Sequence, residues 1–247
     1  MDLFNIIASR RKIMLVGCSH GKHLSKVNRE AVLTFRDNFK PDDVWHLGDA
    51  LDTAAFRLGA QGSSDEAVPV RPDISTGMQF LKELGVTMFF QGNHEARLWD
   101  MAKHYNAIKK EAAQGVIDGI EKKLKKLRCP LVPYHVQRGW RPFGDFLAGH
   151  GYMFNEQACR DHAEALCSNV VFAHTHKTGV AKARTIRNST GINVGTLADI
   201  PNMDYASRRR ATLAWNPGIC WGEYSDKKAQ LWLHEQNSND PTWLLPV

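Results

Sequence analysis

The sequence predicts an α/β domain with two sheets at its centre and helices on their flanks. Two features carry that expectation. Strand-like and helix-like segments alternate through the first part of the chain, whereas residues 185–233 are rich in strand signals and turns, among them Gly191, Gly195 and Pro217-Gly218. The chain's 247 residues also suffice for one large core, and nothing in the composition divides them, so 1–247 is expected to be a single domain.

The elements follow in order. Residues 12–16, 43–47 and 86–90 are short apolar runs that read as strands. Residues 25–39 read as an amphipathic helix, with Val27, Ala31, Phe35 and Phe39 on one face and Lys40-Pro41 as its stop. Residues 56–73 hold Gly59, Gly62, Ser63, Ser64, Pro69 and Pro72 without periodicity, which predicts a long loop at the rim of the site. A helix is expected over 75–84, with Ser75 as N-cap and Gly85 at its end. Residues 95–128 are mostly helical in pattern, with a break near Gly115 and Gly119 and a helical flap or insertion over about 100–128. Lys122, Lys123, Lys125, Lys126 and Arg128 there read either as a solvated helix face or as a basic flap for a polyanion. Residues 131–137 and 145–148 are expected as neighbouring strands around a turn at 139–144. Beyond them, 155–167 read as a helix and 170–173 as a strand.

Hydrophobic residues make up 43% and charged residues 23%, ordinary for a globular protein. No stretch nears the roughly 18 consecutive apolar residues of a membrane helix, and residues 1–11 place their charge after the apolar patch, the reverse of a secretory signal. A cytoplasmic protein is therefore expected, without a membrane partner. The five cysteines form no CxxC pair, so neither a disulfide framework nor a zinc finger is indicated; all but Cys18 read as small buried hydrophobes. The formal charge of +6 suits an anionic substrate, a phosphate ester or a nucleic acid.

Chemistry concentrates in five short blocks: Gly17-Cys18-Ser19-His20-Gly21, Gly48-Asp49-Ala50-Leu51-Asp52, Gly92-Asn93-His94-Glu95, Gly149-His150-Gly151 and Ala173-His174-Thr175-His176. Three of them directly follow predicted strands, where a glycine lets the backbone turn and aims the next side chains at the sheet edge. In order and content the blocks resemble the calcineurin-like metallophosphoesterase superfamily, whose pattern is Asp-x-His, Gly-Asp-x-x-Asp, Gly-Asn-His-Asp/Glu, Gly-His and Gly-His-x-His. Four blocks match in every ligand position. Cys18 stands where the family has Asp, and Ala173 replaces the glycine before the last histidine pair.

The resemblance implies a four-layer α/β/β/α sandwich and two divalent metal ions, with manganese, iron or zinc the expected identities. Position by position, Cys18, His20, Asp49 and His176 would hold one metal, and Asp49, Asn93, His150 and His174 the other. It implies a hydrolase, a phosphodiesterase first, in which a hydroxide activated by the metal pair attacks phosphorus and His94 protonates the leaving oxygen. Asp52 either hydrogen-bonds His94 or caps its loop. Arg97 either clamps a phosphate or pairs with Asp100 or Glu95, while Lys22 and His23 stand close to the first block. Arg208-Arg209-Arg210 reads as a surface cluster or a polyanion grip. Thr53-Ala54 after Asp52 disfavours the protein phosphatases, which carry Arg-Gly there. A monoesterase, a nuclease, and a non-catalytic binding protein disabled at Cys18 stand as the alternatives. As a ligand, Cys18 would favour zinc or iron over magnesium; otherwise it fills space at the end of the first strand.

Overall fold

The computed structural model describes residues 10–203, 210–236, 240 and 242–246. Eleven strands and five α-helices follow the expected alternation: β1 (Arg11–Val16), α1 (Lys26–Phe39), β2 (Asp43–His46), α2 (Val70–Leu84), β3 (Met88–Phe90), α3 (Asn93–Met101), α4 (Ala107–Leu127), β4 (Leu131–Val132), β5 (Trp140–Phe143), β6 (Phe146–Gly149), α5 (Ala158–Ala165), β7 (Asn169–Phe172), β8 (Thr178–Lys182), β9 (Thr190–Val194), β10 (Gly218–Tyr224) and β11 (Ala229–Glu235).

They build two mixed sheets, one in the order β11-β10-β1-β2-β3-β4 and the other β5-β6-β7-β9-β8. In the first, β1, β2, β3 and β4 are parallel, while β10 runs antiparallel to β1 with Leu15 opposite Cys220. Period-two alternation then sorts side chains into layers. Ile13 and Leu15 point between the sheets, with Trp45, Phe90, Val171 and Ile192. Met14 and Val16 point the other way, against Phe35 of α1, Met78 and Leu81 of α2, Leu98 of α3 and Ile117 and Leu124 of α4. On the outer face of the second sheet, Val170 and Phe172 meet Ala158 and Ala163 of α5. The result is helix, sheet, sheet, helix: the expected four layers. Each fully buried leucine or phenylalanine in these layers is worth about 1.5–3 kcal/mol.

Several local expectations are corrected. On α1 the inward face is Asn28, Val32 and Phe35, while Val27 is half exposed. Helix α2 begins at Val70, inside the expected loop, with Pro69 at its N-cap in place of Ser75; Pro72 sits in the first turn, whose N–H groups need no intrahelical partner. The remaining loop carries short 3-10 turns at Ala54–Phe56 and Ser64–Ala67. The break in 95–128 falls between α3 and α4, where Asn106 caps α4 through the N–H of Lys109, and the helix runs on through Gly115 and Gly119. Residues 140–143, expected as turn, form the edge strand β5, and an edge tolerates Pro142. Strands β4 and β6 are consequently not neighbours; they belong to different sheets. Cys167 is exposed and Cys159 partly so, unlike buried Cys129 and Cys220. The expectations for residues 1–9 and for Arg208 and Arg209 lie outside the described residues. No described helix is long and apolar enough to cross a membrane.

Candidate metal centre

All five motif blocks leave the C-terminal ends of β1, β2, β3, β6 and β7, and the two-sheet arrangement brings those ends to one edge. The turns there are tight. Cys18, His20, Asp49, His174 and His176 all have positive φ, between 51° and 68°, a region non-glycine residues avoid. Close approach also demands glycine: a Cβ on Gly92 would overlap the carboxylate of Asp49, and one on Gly48 would lie 2.5 Å from His150 Nδ1.

Two donor groups share the Asp49 carboxylate, and a third cluster joins His20, Asp52 and His94. Ligand atoms of Cys18, His20, Asp49 and His176 all lie within 4.8 Å of one another, as do those of Asp49, His150 and His174. His20 Nε2 and His176 Nε2 are 2.9 Å apart. Asn93 Oδ1 joins the second group, 3.1 Å from His150 Nε2 and 2.9 Å from His174 Nδ1. The backbone orients these rings. His150 donates from Nδ1 to Leu47 O at 2.7 Å, which turns Nε2 toward Asn93, His174 and Asp49 Oδ2, the last at 3.4 Å. Cys18 Sγ accepts the His174 N–H at 3.3 Å, tying the first block to the last.

Burial and mutual charge set the protonation states. Burial raises a carboxyl pKa, but His150, His94 and His20 crowd Asp49 and hold it well below the ordinary range. Burial, with His150 nearby, lowers His174 to about 3, and burial together with His20 holds His176 well below the ordinary histidine range. Burial and the Asp49 charge push the Cys18 thiol far up. For His94 burial acts downward, but Asp49 and Asp52 outweigh it and the pKa rises.

Around this centre His94 and Asp52 form a pair. His94 Nδ1 lies 2.8 Å from Asp52 O and 3.1 Å from Asp52 Oδ1, while its Nε2 faces Asp49 Oδ2 at 3.9 Å. Asp52 also stands 3.6 Å from His20 Nδ1 and 3.7 Å from His23 Nε2. Arg97 donates to Asp52 O at 3.3 Å and touches His94 Nδ1; among the described residues it pairs with neither Asp100 nor Glu95. Lys22 is exposed beside the site.

Four supporting residues escaped sequence reasoning. The buried Glu95 carboxylate accepts the N–H groups of Asp49, Leu51 and Gly92 at 2.7–2.9 Å, and burial beside Asp49 raises its pKa to about 7. Asp73, in the first turn of α2, accepts from Asp52 N and Thr53 N. Asn193 on β9 donates to Ala173 O and Thr175 Oγ1, both at 2.7 Å, and so holds the final histidine pair. His46 meets Ser19 Oγ at 3.0 Å behind the first block. Of the four, only Glu95 carried a signal, its place in the third block.

No protein-family profile matches the chain. The Gene 54 protein of Mycobacterium phage D29 is 26% identical over 168 residues, 61% of this chain and 63% of that protein, so the chain spans less than two thirds of this relative's length. Among solved structures, the hypothetical protein PH1004 from Pyrococcus horikoshii OT3 superposes with a TM-score of 0.51 at 10% identity, covering 91% of this chain and 87% of that one. Yfce, a phosphoesterase from E. coli, matches at 16% identity and a TM-score of 0.41, over 90% of this chain and 98% of its own. At such identities the structural likeness speaks to fold alone.

Proposed function

We propose, from the two-sheet fold and the five motif blocks that resemble those of the calcineurin-like metallophosphoesterases, that the chain is a metal-dependent phosphoesterase, a phosphodiesterase in preference to a monoesterase. One observation carries the reading: two compact donor groups meet at a single shared carboxylate, Asp49.

The donor set fits divalent cations. Asn93 Oδ1, His150 Nε2 and His174 Nδ1 converge within 3.1 Å, and His150 has already committed its other nitrogen to Leu47 O. His20 Nε2 and His176 Nε2 crowd one another in the same way, with burial keeping both rings from protonating readily. Converging lone pairs around a buried carboxylate are costly without positive charge. For His150 burial acts downward, but Asp49 outweighs it and raises the pKa, so a cation at these donors would compete with a proton there. One site would take Cys18, His20, Asp49 and His176, the other Asp49, Asn93, His150 and His174. The Cys18 thiol, pushed up by burial, becomes a thiolate only where a cation replaces its proton, and a sulfur donor suits zinc or iron more than magnesium. When bound, such ions supply Lewis acidity to phosphoryl oxygens and make hydroxide available near neutral pH.

The chain's own residues supply the remainder. Asp49 and Asp52 favour the charged form of His94 against burial, so that Nε2, on the side of the centre, has a proton to give to a departing alkoxide. Asp52 fixes the ring through Nδ1, and Asp73 in turn holds the Asp52 backbone. Arg97 lies within hydrogen-bonding reach of this pair and is placed to meet a phosphate oxygen that approaches it.

The test is hydrolysis of bis-p-nitrophenyl phosphate and p-nitrophenyl phosphate after chelation and separate re-addition of manganese, zinc, iron and magnesium. Metal-restored turnover, faster on the diester, is expected. Faster monoester turnover would make the chain a monoesterase. No turnover with any metal would reject catalysis and leave a binding protein on this fold.

A further inference from the structure

The segment 173–176 carries one histidine into each half of the centre, His176 into the first donor group and His174 into the second. The backbone at His174 is strained. The Thr175 N–H bonds back to Ala173 O at 2.8 Å, which closes a three-residue turn around His174, and His174 has φ 68°. A turn of this kind with a positive φ at its centre is rare. Local preference alone would release a histidine from it, so the conformation needs a hold from outside the segment.

That hold comes from Asn193 on β9. Phe172, the last residue of β7, lies opposite Asn193 in the parallel ladder, so the turn starts directly beside it. Asn193 is 1% exposed. Its Oδ1 accepts the Gly195 N–H at 2.9 Å, which fixes the orientation of the amide. Nδ2 then donates to Ala173 O and to Thr175 Oγ1, each at 2.7 Å. Those acceptors belong to the first and third residues of the turn, so the amide brackets His174. Ala173 O takes one N–H from inside the turn and one from Asn193. His174 Nδ1 is thereby left 2.9 Å from Asn93 Oδ1 and 3.1 Å from His150 Nε2.

His176 is supported from the other side. Its carbonyl accepts the Asn216 N–H at 3.0 Å, and Asn216 Oδ1 accepts the Thr178 N–H at 2.9 Å. The two histidines of one short segment thus depend on different asparagines. We propose that Asn193, acting through Ala173 O and Thr175 Oγ1, is a positioning residue for His174 and sets the metal affinity of the second half of the centre, leaving the first half to other supports. The proposal rests on the phosphoesterase reading for its ions and adds to it a residue outside the five motif blocks. A group that holds a donor in its ligating orientation typically governs a roughly 10–100-fold range of metal affinity.

Calorimetric titration of zinc into the metal-free full chain tests it, with circular dichroism to establish that each variant is folded. Thr175→Val keeps the side-chain shape and removes the acceptor. One of the two binding steps should weaken roughly 10–100-fold while the other stays as in the unmodified chain. Thr175→Ser, which returns the hydroxyl, should restore it, and Asn193→Leu should weaken the same step at least as far. Double variants separate positioning from a general loosening of the fold. Thr175→Val should have no further effect in His174→Ala, whose ring is already gone, and its full effect in His176→Ala. Equal further losses in both backgrounds overturn the assignment to His174. Two unchanged binding steps in Thr175→Val and Asn193→Leu overturn the role of Asn193 and leave the phosphoesterase reading in place. Absence of zinc binding by the unmodified chain overturns the donor assignment of that reading, and the role of Asn193 with it.

Discussion

The two halves of the metal centre differ in how they face solvent. Cys18, His20, Asp49 and His176 are at most 4% exposed, sealed between the loops after β1, β2 and β7. In the other half, Asn93 and His174 are only partly buried, and Tyr134 sets its ring edge-on to His150. On the proposed reading the first half would retain an ion, since a buried, oriented donor set loses little entropy on binding, and the second would meet the substrate. Asp49 is the hinge between the two functions, and His94 with Asp52 stands where both can be reached.

The sharpest way to break this comparison is Asp49→Asn. Sharing predicts loss of metal from both halves and turnover at background, because the reaction is expected to need both ions; retention of one full equivalent, read by elemental analysis, would show that the halves are independent. His94→Ala acts on neither half's ions. Turnover on poor leaving groups should drop about 10²–10³-fold with metal content unchanged, and simultaneous metal loss would make His94 a ligand. Cys18→Asp addresses the buried half alone. The zinc-to-manganese activity ratio should fall at least about tenfold, the lower end of what even changes behind the ligands produce, and an unchanged ratio would reduce Cys18 to a space-filler.

The smallest effect concerns the wall of the open half. His162 on α5 donates from Nδ1 to Ala158 O, and its Nε2 accepts the N–H groups of Tyr152 and Met153. Burial lowers its pKa from 6.5 to about 4, so the fold holds it neutral. The stability it contributes is complete well above pH 6.5 and is lost as pH falls toward 4, because only the unfolded chain takes up the proton readily. From pH 7 to 6 that loss comes to about 0.7 kcal/mol. Thermal melts of the wild type and His162→Gln should differ in pH slope by this amount, and parallel slopes would remove His162 from the account.

The candidate donors, which the structure gathers at one edge, were legible in the sequence because their chemistry and their punctuation coincide. A glycine beside a strand exit, followed by His, Asp or Asn, is a local signal, and Gly48-Asp49 and Gly92-Asn93 show it best. Asp73, Asn193 and His46 were not legible, because each acts on atoms far away in sequence: Asp73 on the Asp52 and Thr53 amides, Asn193 on the Ala173 carbonyl, His46 on Ser19. Punctuation misled elsewhere. Gly115 and Gly119 suggest a break, yet α4 crosses them because Ala113, Ile117, Ile120 and Leu124 bury one face against the core. Tertiary packing there outweighs a penalty of about 1 kcal/mol per glycine. Pro72 and Pro142 likewise look like breakers, and each occupies a position where no backbone N–H is needed.

The left-handed backbone at Cys18, His20, Asp49, His174 and His176 reaches beyond catalysis. Each such residue is disfavoured by about 1–2 kcal/mol relative to glycine in that conformation. At these five positions glycine is therefore the comfortable residue and the donor the strained one. His20→Gly should melt higher than His20→Ala by roughly 1 kcal/mol of stability, while both lose the same ion; equal melting would deny the strain. On the proposed reading, glycine at these positions would relax the backbone and empty the centre, so the local strain belongs with what the donors would hold.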